Sequence, residues 1–173
     1  MIPVLTTDRL TLRAPCIEDF EPWAEILMSD RGQYIGGPFD RQGAWDDLCR
    51  ETASWVLRGY GGWSVEANGT YIGMIGLHHE LGDPERELGW VLNAAGEGHG
   101  YAFEGASAAR TYALKTLGWD TLVSYIDPAN ERSITLAQKL GATRDEDAQK
   151  PDDYPNCFVY RHAASGHRQE VLQ

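Results

Sequence analysis

The sequence predicts an α/β protein of one domain, with a mixed central sheet and helices on both of its faces. Three observations carry that expectation. The length, 173 residues, fits a single domain. Apolar residues alternate with period two in some segments and recur every three or four residues in others. The resulting order is strand, two helices, three strands, helix, strand, helix, strand, with no internal repeat and no low-complexity linker.

Arg9 to Arg13 alternate polar and apolar residues, as a half-buried strand does. Phe20, Trp23, Ala24 and Leu27 fall at helical spacing and mark an amphipathic helix. Arg31 to Asp40 is glycine-rich, holds a proline and predicts a loop. Trp45, Leu48, Thr52 and Trp55 place a second helix that ends near Gly59. Trp63 to Ala67 and Tyr71 to Leu77 are strands around Asn68-Gly69, a dipeptide suited to the positive φ of a tight hairpin turn. A strand at Glu87–Leu92 follows, then the loop Asn93–Gly100 and an alanine-rich helix from Tyr101 to Leu117 closed by Gly118. Thr121 to Ile126 is a strand, Asp127-Pro-Ala-Asn130 a turn, Glu131 to Leu140 a helix closed by Gly141, and Asn156 to Arg161 a last strand. The domain is expected over residues 1–162, with 163–173 a polar, frayed tail.

The chain carries 15 Lys and Arg against 26 Asp and Glu, a net charge of −11. Nucleic-acid binders displace counterions with basic surfaces, and peripheral helices need basic faces for anionic lipid, so neither partner is expected. No apolar run reaches the ~20 residues that cross a bilayer, and the first residues lack a signal-peptide pattern. Cys16, Cys49 and Cys157 are far apart and form no Cys-x-x-Cys pair; they read as reduced, buried thiols of a cytoplasmic protein. His78 and His79 are adjacent on a strand and face opposite ways, so no metal site is expected.

The chemistry is expected at the loop before the alanine-rich helix. Gly96, Gly98 and Gly100 precede the helix, where bare backbone N–H groups and the helix dipole form an anion site for a phosphate or pyrophosphate. A simple turn is the other reading of the same glycines. The P-loop is excluded because Tyr101-Ala102, not Lys-Ser/Thr, follows the last glycine, which also disfavours a nucleotide-binding switch protein. The dinucleotide fingerprint is excluded by the glycine spacing.

The segments Thr6–Arg13, Glu87–Leu92, Gly98–Ala102, Asp127–Ser133 and Lys139–Gly141, in this order and spacing, resemble the GNAT superfamily of acetyl-CoA-dependent N-acyltransferases. The nearest subgroup holds the ribosomal-protein N-terminal acetyltransferases and their small-molecule relatives, and the likeness spans roughly Leu5 to Arg161. It implies a GNAT-like fold with two splayed strands and acetyl-CoA as co-substrate. It further implies coenzyme contacts at Trp90, Val91, Leu92, Gly98, His99, Gly100, Tyr101, Ala102, Phe103, Asn130 and Ser133. Glu97 departs from the family's loop, where Arg or Gln is usual, and a carboxylate beside a pyrophosphate costs binding energy unless it turns to solvent.

The resemblance implies direct attack of a neutral amine on a thioester. An N–H of Val91 or Leu92 would stabilise the oxyanion. Ala137 occupies the place of the usual thiolate-protonating tyrosine, so Ser133 becomes the candidate donor, with a purely structural serine as the other reading, and Asn130 can serve as a helix N-cap as well as a coenzyme contact. Glu87 is the candidate base, with His78, His79 and Glu80 as alternatives and an ion pair to Arg86 or a neighbouring strand as its structural reading. Tyr34, Trp63 and Trp90 are expected along the acceptor cleft, with core packing as the other reading of such aromatics, and Asp40, Asp46, Asp47 and Glu51 tilt the acceptor toward a cationic amine, although surface solubility explains the same charges equally. The acceptor is a small molecule or a protein N-terminus, and the chain a monomer or homodimer. A non-catalytic acyl-CoA-binding sensor or partner protein is the alternative.

Overall fold

The hairpin turn forms as the sequence predicts: Asn68 and Gly69 both take positive φ, 51° and 75°. They join β3 (Gly62–Ala67) to β4 (Thr70–His78). The computed structural model describes residues 1–163. Ahead of the hairpin lie β1 (Leu5–Thr6), β2 (Leu10–Arg13), α1 (Phe20–Leu27) and α2 (Arg41–Arg58). After it come β5 (Glu87–Leu92), α3 (Tyr101–Thr111), β6 (Val123–Ile126), α4 (Glu131–Lys139), β7 (Thr143–Arg144) and β8 (Phe158–Arg161). The eight strands form one mixed sheet in the order β1-β2-β3-β4-β5-β6-β8-β7. Among the described residues only β5 and β6 run parallel, as a helical crossover requires.

The two faces are covered by different helices. Ile75, Leu77, Leu88 and Leu92 pack with Ala106 and Ala109 of α3. Met74 packs on the other face with Trp23, Ala24 and Leu27 of α1 and Ala44 and Leu48 of α2. Alternation along β4 decides this, since neighbouring strand residues point to opposite faces. Each large aliphatic side chain buried here contributes roughly 1.5–3 kcal/mol.

Element ends differ where local signals are weak. The two-residue strands β1 and β7 are too short to show a period, so the sequence pattern does not predict them. The segment 31–40 holds a 3-10 turn over Asp30–Tyr34. The third long helix is α only to Thr111 and finishes in a wider π turn, Tyr112–Thr116. β6 starts at Val123 rather than Thr121, and β8 at Phe158 rather than Asn156. The expected tail, 163–173, lies outside the described residues from 164 onward.

Three side chains correct the sequence reading. Trp63 is wholly buried and donates to the Pro3 carbonyl at 2.9 Å, so it is core and not cleft wall. Cys16 and Cys49 are exposed, and only Cys157 is buried. Asp19 is a buried carboxylate that no local pattern marks. It accepts from both Arg13 terminal nitrogens at 2.7 Å and from Ser64 Oγ at 2.6 Å. Burial opposes its charge, but Arg13, Ser64 and the Cys16 amide overcome that and hold it below the usual carboxylate range. It ties the start of α1 to β3.

Candidate active site

β5 and β6 begin as a parallel pair and then part. Val123 N–H donates to the Arg86 carbonyl at 3.0 Å, and Glu87 opposite Val123 is the one paired position. The next rung would join the Tyr125 amide to the Leu88 carbonyl. Side chains take both places instead. Ser124 Oγ donates to Leu88 O at 2.6 Å, and Tyr125 N–H donates to Glu87 Oε1 at 3.2 Å. His162 Nε2 lies 3.0 Å from Ser124 Oγ. The serine proton is committed to Leu88, so the imidazole donates through Nε2 and its Nδ1 is left buried without a partner. Burial, aided by Arg110, pushes the His162 pKa down to about 4.

Beyond this staple a cleft of about 760 Å³ opens between the strands. Backbone alternation decides what faces it. Asn93 N–H donates to Ile72 O at 2.8 Å, so Asn93 and, two residues back, Val91 turn their backbone groups toward β4. Trp90 and Leu92 therefore turn theirs to the gap. Of the two expected oxyanion donors, Leu92 N–H is available and Val91 N–H is not.

The glycine loop forms the outer wall of the cleft. Gly98 and Gly100 both have φ of 78°, a left-handed conformation that favours glycine. The first helical bond of α3 is Glu104 N–H to Gly100 O at 3.1 Å, so the amides of Tyr101, Ala102 and Phe103 come before any intrahelical acceptor. These three residues line the cleft together with Gly98 and Gly100. His99 does not: its carbonyl accepts from Arg9 Nη1 at 2.9 Å, and its ring stacks on Tyr101 at 5.3 Å.

Glu97 also lines the cleft, but its charge is answered. It pairs with Arg31, and Arg132 Nη1 and Nη2 donate to its two oxygens at 2.8 and 2.7 Å. Burial works against its charge, yet the two guanidiniums hold it below the usual carboxylate range. One acid and two arginines leave a net positive cluster at the mouth.

Asn130 and Ser133 stand at the start of α4. The Asn130 side chain accepts from Ser133 N–H at 3.2 Å as an N-cap, and both residues face the cleft. Trp90 Nε1 donates to Ser133 Oγ at 3.2 Å. Ala137, one turn on, is buried in the core. Glu87 faces the other side of the gap and is half-buried. Burial pushes its pKa up to about 7, against the pull of His78 and the Tyr125 amide and with a further push from Asp83 and Glu51. It has no ion pair with Arg86, whose guanidinium lies 4.8 Å from the centre of the Trp119 ring.

The family model for the acetyltransferase (GNAT) domain matches residues 9–143. The chain belongs to the GNAT acetyltransferase family. As a GNAT enzyme it is an acyltransferase. Its fold is that of the crystal structure of the acetyltransferase from Agrobacterium tumefaciens strain C58, at 40% identity over 93% of this chain and 94% of that one, with a TM-score of 0.88. The uncharacterized protein YkkB of Bacillus subtilis is 28% identical over 150 residues, 79% of this chain and 83% of its own. The structure of Mycobacterium smegmatis RimJ in complex with CoA-disulfide shares the fold with a TM-score of 0.69, at 15% identity over 92% of this chain and 84% of that one.

Within this GNAT domain the expected cleft residues Tyr34 and Trp90 are in place. Three of the four acids of this region have partners within α1 and α2, and Asp40 and Asp46 stay exposed. Asp40 caps α2 through the Gly43 amide at 2.7 Å, Asp46 accepts from Gln42, and Asp47 accepts from Trp23 Nε1 at 2.8 Å and pairs with Arg50. His79 is turned away, with Nε2 3.1 Å from the Asp83 carbonyl. Arg31 and Arg132 also line the cleft, and no sequence pattern singles them out. Their partner Glu97 was in view, and an acid inside an anion loop is itself a signal that cations stand nearby. Among the described residues, no group of three or more His, Cys, Asp or Glu is placed to hold a metal, and no helix is long and apolar enough to cross a membrane.

Proposed function

We propose that this GNAT enzyme transfers the acetyl group of acetyl-CoA to a primary amine, on a small molecule or a protein N-terminus, by direct attack. One observation carries the reading: the open backbone edge at Trp90 and Leu92 runs from the glycine loop to a gap flanked by Glu87 and Ser133. The fit to the co-substrate rests on the free amides of Tyr101–Phe103, the left-handed glycines 98 and 100, and the arginines held by Glu97.

Acetyl-CoA supplies the thioester, whose carbonyl carbon gains a C–N bond and loses its C–S bond. The α3 amides, with Arg31 and Arg132, hold the pyrophosphate. Trp90 and Leu92 offer backbone groups to the pantetheine as an adjacent strand does, with Asn130 beside it. Leu92 N–H donates to the carbonyl oxygen as charge develops there. Glu87 removes the proton that an amine carries at neutral pH, and its raised pKa of about 7 matches a base working near neutrality. Ser133 donates its hydroxyl hydrogen to the departing sulfur and takes in its place the second proton that the attacking nitrogen sheds as the C–S bond breaks, so that the amide and the free thiol are the products. The staple of Ser124 and His162 keeps β5 and β6 joined below the reacting atoms.

Thiol release from acetyl-CoA, measured against a panel of amines and N-terminal peptides, tests the reading. Turnover is expected with at least one acceptor, and Glu87→Gln should lower kcat/KM by ~10²–10⁴-fold. Coenzyme binding without turnover of any amine would make the chain a non-catalytic binder.

A further inference from the structure

Three strands place glycines side by side on the α1/α2 face: Gly62 opposite Gly76, and Gly76 opposite Gly89. The row leaves a trough where side chains would otherwise stand. A Cβ on Gly76 would lie 2.5 Å from the His78 ring, one on Gly89 3.2 Å from His78 Nε2, and one on Gly62 2.6 Å from Glu51 Oε2. The trough thus holds the imidazole of His78 flat along the sheet and the carboxylate of Glu51 beside it. Glu51 reaches down from α2, is 7% exposed, and sets Oε1 3.4 Å from His78 Nδ1. Its other oxygen has no partner.

His78 is the cross-strand neighbour of Glu87, and residues paired across an antiparallel ladder point to the same face. Glu51, His78 and Glu87 therefore run in a line from beneath α2 to the cleft. We infer that Glu51 and His78 are positioning residues for Glu87: Glu51 holds the imidazolium in the glycine trough, and that positive charge keeps Glu87 a carboxylate at the cleft. The inference rests on the reading of Glu87 as the base.

The surroundings support the charge assignment. Burial disfavours a charged His78, but Glu51, Glu87, Asp47 and Glu80 outweigh it and raise its pKa above the ordinary value. Burial raises Glu51 as well, with Asp47 and Glu80 adding to it and His78 and Arg50 opposing it. Glu80 is itself paired with Arg58 at 3.7 Å, and Asp47 with Arg50. Around Glu87, burial first and then Asp83 and Glu51 disfavour the charge, while His78 and the Tyr125 amide support it. From the far side, Tyr154 and Cys157 are neutral phenol and thiol groups held above their ordinary values. His78 is thus the cationic group that most favours an ionised Glu87 among the described residues. During turnover Glu87 takes one proton from the ammonium, leaving a neutral amine. It then releases that proton to the cleft, and the imidazolium repels a second one and restores the carboxylate.

The test follows the titration of the Glu87 carboxyl by carbon NMR in the full-length protein, with kcat/KM against pH in parallel. In His78→Gln the Glu87 midpoint should rise by about one pH unit or more, and the acid limb of the rate profile should move with it. A drop of about tenfold in kcat/KM is then expected below the midpoint, with the alkaline plateau kept. In Glu51→Gln the His78 imidazole should titrate at lower pH, which serves as the reading if His78→Gln does not fold. A merely structural histidine would lower the melting temperature and leave both midpoints and the limb in place, and that result overturns the inference. Full activity in Glu87→Gln would instead overturn the base assignment, while the NMR midpoints would still report the coupling between His78 and Glu87.

Discussion

Trp90 Nε1–H donates to Ser133 Oγ at 3.2 Å. An indole N–H can only donate, so the serine oxygen accepts and its own hydrogen is left to point elsewhere. Trp90 stands on the strand edge where the thioester is proposed to lie, which aims that hydrogen toward the gap. Ser133→Ala should lower kcat by ~10²–10⁴-fold with coenzyme affinity nearly unchanged, because a donor to the leaving sulfur acts in the transition state. Trp90→Phe should lower kcat less, since the hydroxyl stays but loses its orientation. Steady-state kinetics with calorimetric coenzyme binding check both. A Ser133→Ala enzyme that turns over like wild type would reduce Ser133 to a helix residue.

The Arg31–Glu97–Arg132 cluster makes a linked prediction. Arg31→Ala removes one cation and leaves Glu97 answered only by Arg132, which is 75% exposed and so held weakly. Coenzyme A should bind about tenfold more weakly at low salt, and less so as salt screens the site. In a Glu97→Gln background the same Arg31→Ala change should cost less, because no carboxylate remains to repel the pyrophosphate. Calorimetric titration of the four variants gives the coupling. Equal penalties in both backgrounds would show that Glu97 and Arg31 act independently.

Gly100→Asp separates binding from folding. The nearest atom to a new Cβ is Arg9 Nη2 at 3.6 Å, so there is room, and the left-handed φ of 78° costs only roughly 1–2 kcal/mol. The carboxylate would stand at the start of α3, where the anion is proposed to sit. Coenzyme binding should be lost while circular dichroism and a cooperative melt persist. Unchanged affinity would place the phosphates elsewhere.

His162 makes stability depend on pH. Its folded pKa is about 4 against an ordinary 6.5, so below 6.5 the unfolded chain takes up a proton that the native protein refuses. Stability is therefore lost as pH falls from 6.5 toward 4, by roughly 3 kcal/mol in all. Glu87, raised to about 7, acts in the opposite sense between its ordinary 4.5 and 7, where the native state holds the extra proton. The difference between wild type and His162→Gln isolates the histidine. Urea midpoints at pH 7 and pH 4.5 should fall more in wild type than in the variant, and parallel falls would refute the assignment.

Much of the fold was written in short-range pattern. Period two marks β2 and helical spacing marks α1 and α2, because each buries one face and so repeats its apolar residues, while alanine content and closing glycines mark α3 and α4. Asn68-Gly69 and the glycines before Tyr101 announced their turns because few other residues tolerate positive φ. Ser133 and Asn130 were legible as a cap and its neighbour on one helix face.

Tertiary structure alone decided what joins residues far apart in the chain. Glu97 read as a liability by itself and became a cation holder only when Arg31, 66 positions earlier, folded against it. Of the two readings of Trp63, cleft wall and core, the structure selects core, because the face it occupies is set by sheet order and not by its own segment. The gap between β5 and β6 has no mark in either strand. It exists because Ser124 and Glu87 take the backbone partners of Leu88 and Tyr125, a substitution that requires both strands to be in register first. Local sequence fixes which conformations a segment prefers. Long-range pairing fixes which charges and backbone groups meet, and the chemistry of this site is built from those meetings.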